Sequence, residues 1–204
     1  MRQLALALIL LSGCAAVQPA APAAPIPSVT PAPSGQQVSD VVPSGAFVFF
    51  EDFEGGTGRW QLPASAEVGW RLLHAHTCTG EYSLLLGRDQ AETFTGSAQD
   101  SYVTLATGLD LAKSRRPAFK YDVLGLAMPD GAIALSLEVR PAGGAWQPLG
   151  DARVANHAFA LTFVSDLSAW TGQTIDLRFH GVVKDVKEPT RGLYLDQLAV
   201  IEAR

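Results

Sequence analysis

The sequence predicts an all-β fold, an antiparallel β-sandwich of jelly-roll type, spanning residues 46–204. Three observations predict it: period-two alternation in several segments, glycine-rich breaks between them, and no sustained helical period with caps. Phe47–Phe53, Gly69–His74, Tyr82–Leu86 and Ser101–Thr104 are the early strands. Phe119, Tyr121 and Val123 then alternate with Lys120 and Asp122, and Ile133, Leu135, Leu137 and Val139 alternate with Ala134, Ser136, Glu138 and Arg140. Phe159–Val164 follows; Ile175, Leu177 and Phe179 alternate with Asp176, Arg178 and His180, and Leu193–Ile201 closes the domain. Such alternation buries one face of each strand. Gly55-Gly56, Gly87, Gly131 and Gly143-Gly144 mark the breaks, and many short strands of this kind pack as a sandwich or jelly roll.

Two segments precede the domain. Residues 1–13 read as a signal peptide: Arg2 is the positive end, Leu4 to Leu11 the apolar run, and Ser12-Gly13 the small residues before a cut. An apolar run of this length is far short of the roughly 20 residues needed to span a bilayer. Leu11-Ser12-Gly13-Cys14 resembles the bacterial lipobox, which implies a lipid on Cys14, stable membrane anchoring and, with Ala15 next, an outer-membrane location in the cell envelope. Residues 14–45 read as a disordered tether. Between residues 15 and 45 there are seven prolines and seven alanines, and Asp40 carries the only charge.

The formal net charge of −5 argues against nucleic acid as a partner, because phosphate neutralisation needs basic patches. Cys14 and Cys78 are the two cysteines; with Cys14 lipidated, Cys78 has no partner for an internal disulfide and reads as a small buried apolar residue.

Phe50–Gly56 with Trp60, then Trp70–His74, Thr79–Gly87, Asp166–Phe179 and Gly192–Val200 recur in this order in a known group. Together they resemble the MAM-type, concanavalin-like jelly-roll modules that accompany secreted metalloproteases of the immune-inhibitor-A kind. The resemblance implies a non-catalytic appendage serving adhesion, ligand binding or substrate positioning. It places Trp60, Trp70 and Trp170 in the core or over a sheet face. It also implies a structural calcium held by Glu54 and Asp196, with Asp52 as a further ligand, to which backbone carbonyls and water would add. Asp196 shares strand parity with Leu198 and Val200, where an unpaired carboxylate is costly to bury, although Leu193, Leu195 and Ile201 make the other face apolar too. The alternative is that Asp196 caps a turn or pairs with Arg191 while Glu54 is solvated.

Catalytic signatures are missing: the sequence has no HExxH, GxSxG, CxxC or P-loop motif. His74, His76 and Cys78 stand at metal-capable spacing without an evident fourth ligand. His180 reads as a surface residue. Trp146, after the Gly143-Gly144 turn, is either an exposed hairpin-tip aromatic or a packed cover of the hairpin base. The polar segment 184–191 reads as a loop on a rigid scaffold, with Lys184, Lys187 and Arg191 as further candidate ligand contacts. The chain is expected to present a non-enzymatic module for glycan or protein ligands. The alternative is an accessory or scaffold component of an envelope complex; a hydrolase is the least favoured reading.

Overall fold

The alternating segments fold as antiparallel strands in a computed structural model that describes residues 48–64, 67–88, 93–96, 99–126, 128–152 and 160–202. The signal and tether segments lie outside the described residues. One sheet contains β1 (Phe49–Glu51), β3 (Gly69–Leu73), β4 (Ser83–Gly87), β8 (Pro117–Leu126), β11 (Leu161–Asp166) and β14 (Gly192–Glu202). Its order is β11-β8-β14-β4-β3, with β1 also on β14. The second contains β2 (Trp60–Gln61), β6 (Gln99–Leu105), β7 (Leu109–Asp110), β9 (Ile133–Pro141), β10 (Gln147–Ala152) and β12 (Thr174–Val183). Its order is β10-β9-β12-β6-β2, with β7 also on β12. A small ribbon pairs β5 (Phe94–Gly96) with β13 (Val186–Thr190).

The period-two residues meet between the sheets. Phe49, Phe119 and Tyr121 from the first pack on Trp60 and Phe179 from the second, and Trp60 and Phe179 have ring centroids 6.3 Å apart. Trp60, Trp70 and Trp170 are buried, as the sequence resemblance implies. Gly181 sits at a close approach of the sheets: a Cβ there would lie 2.2 Å from Leu86 Cδ2.

Several strands were not legible in the alternation. β2 and β7 are only two residues long, and β10 carries Pro148 and Gly150 at a register shift. The segment read as the loop 184–191 is in fact largely β13; Val186 and Thr190 are buried while Lys187 and Pro189 between them are exposed. Pro189 masked this strand, because proline is tolerated only where no ladder donor is needed.

β14 settles the ambiguous face of Asp196. Its pairing with β8 shifts register between Asp196 and Ala199, and Gln197 takes a positive φ of 53°. A bulge reverses the parity of the strand beyond it. Leu193 and Leu195 before the bulge and Leu198 and Val200 after it therefore all enter the core. Asp196 is not on the face of Leu198 and Val200; it lies on the outer side, beneath the 74–82 segment.

That segment is tied down by acids. Asp196, only 2% exposed, accepts hydrogen bonds from the amides of Cys78 (2.7 Å), Thr79 (3.3 Å) and Gln197 (2.7 Å). Glu54 accepts from the amides of Glu81 and Tyr82, both at 2.8 Å. Burial raises the Asp196 pKa above its ordinary value, the three amides oppose the rise, and the carboxylate of Asp122, its register partner on β8, adds to it. A carboxyl raised in the folded state contributes stability that is complete below its unfolded pKa and is lost as pH rises through the folded value. Asp196→Ala is expected to cost roughly 2–3 kcal/mol through amides left without an acceptor. The deficit is largest near pH 3, below the unfolded value of about 3.9, and narrows towards about pH 7. Urea unfolding of both proteins across that range checks it; a deficit that widens with pH would contradict the account.

Candidate functional site

The polar parity of β6, β9 and β12 builds one continuous outer face on the second sheet. Asp176, Arg178 and His180 point away from the core-facing Ile175, Leu177 and Phe179. Strand register sets Asp176 opposite Arg140, Arg178 opposite Glu138, and His180 between Tyr102 and Ser136. An aromatic therefore stands on a polar parity: Tyr102 follows Asp100 and precedes Thr104, while Ser101, Val103 and Leu105 are buried.

These side chains interlock. Tyr102 is 37% exposed and stacks on His180, with ring centroids 4.3 Å apart and planes 16° apart. The Arg178 guanidinium carbon lies 4.2 Å from the Tyr102 centroid and 4.1 Å from that of Trp146, and Arg140 is 4.6 Å from Trp146. Cation–π contact of this kind holds an aromatic plane over a guanidinium. Each arginine is also paired with an acid. Arg140 donates through Nε (2.9 Å) and Nη2 (2.6 Å) to Asp176 Oδ2, and Arg178 Nε donates to Glu138 Oε2 at 2.6 Å. His180 Nδ1 lies 3.2 Å from Glu138 Oε1, and its Nε2 lies 3.4 Å from Asp100 Oδ1. The result is an interleaved set of planar groups, with Tyr102 and Trp146 partly exposed among paired donors and acceptors.

Of the residues expected to bind ligand, Trp146 alone belongs to this face. It is half-buried, so neither a bare tip nor a core residue, and it is gripped by Arg140 and Arg178 rather than by the hairpin base. Lys184 lies beyond the far end of β12, its amide bonded to Ala132 O just before β9 begins. That is roughly 20 Å along the strand from Arg178 at 3.3 Å per residue. Lys187 is exposed on β13, and Arg191 lies near His76 and Tyr194 by the first sheet. Lys184, Lys187 and Arg191, expected as contacts from the 184–191 segment, therefore lie away from the face that holds Trp146. Sequence reasoning missed Tyr102, whose signal was an aromatic at the polar phase of β6.

The acids expected at a calcium are employed otherwise. Asp52 accepts from the Glu54 amide at 3.2 Å, while Glu54 and Asp196 serve the 74–82 amides described above. The buried acid of that stretch is Glu51, which accepts from the Phe53 amide at 3.0 Å and from Trp60 Nε1 at 3.2 Å. Among the described residues no three His, Cys, Asp or Glu side chains converge as a metal group. A calcium here would have to share Asp52, Glu54 and Asp196 with the amides they already serve and take its remaining oxygens from backbone and water. His74 instead approaches Glu81 at 3.3 Å, and the His76 ring sits edge-on to Tyr194 at 4.9 Å.

Cys78 is exposed rather than buried. Its thiol is nonetheless pushed up to about 12, first by partial burial, then by the carboxylates of Asp122 and Asp196, with Lys120 pulling the other way. The thiol therefore stays protonated at neutral pH and is a poor nucleophile.

No known protein family matches the sequence, and no curated protein does. Solved structures do share the architecture. The carbohydrate-binding module TmCBM61, solved with β-1,4-galactotriose, superposes with a TM-score of 0.54 at 11% identity over 74% of this chain and 94% of its own. CBM27-1 of Caldicellulosiruptor saccharolyticus, solved with mannohexaose, gives a TM-score of 0.54 at 11% identity over 76% and 98%. The xylan-binding domain from CBM 22 gives 0.50 at 14% identity over 79% and 97%. None of these three is a MAM-type module. The chain has the jelly-roll β-sandwich fold found in these carbohydrate-binding modules.

Proposed function

We propose that the domain is a non-catalytic glycan-binding module whose ligand lies on the outer face of the second sheet, across Tyr102 and Trp146. The observation that carries this reading is the pair of accessible aromatic rings locked around Arg178 and rimmed by Asp100, Glu138, Arg140 and Asp176. Sugar rings present apolar C–H faces and equatorial hydroxyls, which need an aromatic plane and, at its edge, groups that both donate and accept. The three carbohydrate-binding neighbours favour the same class of role. Affinity electrophoresis through gels containing soluble polysaccharides tests it: retardation by at least one polysaccharide is expected, and free migration through a broad panel would refute it.

The module is anchored to the cell envelope through lipid on Cys14, with residues 14–45 as its tether. The support is the Leu11-Ser12-Gly13-Cys14 sequence after the apolar run. Anchoring of this kind holds a binding module at the surface while leaving its face free. Cys14→Ser is expected to release the protein from the membrane fraction or to arrest its processing. Unchanged retention with an unchanged mature mass would exclude lipidation.

A further inference from the structure

We infer that the Tyr102–Trp146 face takes an uncharged glycan and rejects polyuronates, an inference that rests on the glycan-binding reading and narrows it. The charge of both arginines on this face is already balanced by acids. A uronate carboxylate is recognised best by a guanidinium with an open fork. Here Arg140 commits both Nε and Nη2 to Asp176, and Arg178 commits Nε to Glu138. The flat faces of the same two guanidiniums are covered by Trp146, and that of Arg178 by Tyr102 as well.

The acids of the face match or outnumber its fixed cations. Asp100, Glu138 and Asp176 stand against Arg140 and Arg178, with His180 between Asp100 and Glu138. Asp100 is 65% exposed and meets an arriving ligand first. A polyanion would place its carboxylates beside arginines whose charge is already balanced by Glu138 and Asp176, and beside the open acid Asp100. A neutral chain has no such charge to place. Its hydroxyls can donate to the free lone pairs of Asp100 and Asp176 and accept from the remaining guanidinium N–H groups.

The test compares neutral polysaccharides (mixed-linkage glucan, xylan, galactan and mannan) with polygalacturonate and alginate, in affinity gels at low ionic strength, with the whole exported chain. Retardation by a neutral polymer and none by either polyuronate is expected. Retardation by a polyuronate equal to or stronger than by any neutral polymer would overturn the inference while leaving the glycan reading standing. Free migration in every gel would refute the glycan reading, and the inference with it. Asp176→Asn combined with Glu138→Gln removes the carboxylate charges that occupy the two arginines. This double variant is expected to gain retardation on polygalacturonate, a gain that disappears with added salt as an ionic contact must. A folded double variant that still ignores polygalacturonate would show that ion pairing is not what excludes the acid.

Discussion

Trp60→Ala is expected to lower stability by about 3–5 kcal/mol, the range for loss of a buried Trp. Trp60 is the joint between the sheets. It comes from β2 in the second sheet, stacks at an angle on Phe179 of the same sheet, and meets Phe49 of the first sheet edge-on at 6.4 Å. Phe53, held at a positive φ just beyond β1, leans on it from 6.2 Å. Removing the indole opens a cavity that a two-residue strand cannot collapse to fill. It also takes the Nε1 donor from Glu51, a buried acid. Trp60→Phe opens a smaller cavity while still removing the hydrogen bond, so a smaller cost of about 1–3 kcal/mol is expected. Chemical denaturation of the three proteins decides. A Trp60→Ala cost below about 1 kcal/mol would mean that the sheets do not depend on this joint.

Tyr102→Ala with Trp146→Ala is expected to cost at least 2 kcal/mol of glycan affinity, roughly thirtyfold, as aromatic anchors of binding surfaces do. Stability should change far less than in Trp60→Ala, because both rings lie outside the buried cluster. Each single change removes one wall around Arg178, so the two effects are coupled and should not add. Titration against whichever polysaccharide retards the wild type checks both numbers. Full affinity in the folded double variant would move the ligand away from this face. Loss of folding instead would show that the rings brace β12 rather than receive a ligand.

The polar segment 184–191 shows why composition alone misplaced a binding loop. Its charges are exposed as expected, but Val186 and Thr190 at its ends are buried against β5, which turns the segment into a strand. The decisive partner lies some ninety residues earlier in the chain, and no local pattern announces it. Trp146 shows the complementary case. Its position after a glycine turn singled it out as a contact, but its partners Arg140 and Arg178 stand on different strands and are joined only by the register of β9 on β12.

The sequence by itself determined the fold class, the two-sided character of most long strands and the burial of Trp60, Trp70 and Trp170. The first two follow from a period of two, which is local and repeated, and the third from the motifs that carry the sequence resemblance. The tertiary structure alone decided where Asp196 points, which acid is buried in the Phe49–Glu54 stretch, and that Tyr102, Arg178 and Trp146 form one face. The reason is physical. A single bulge at Gln197 reverses strand parity without any change in composition. Cross-strand neighbours, in turn, are set by register between segments tens of residues apart, where the linear pattern holds no information about distance.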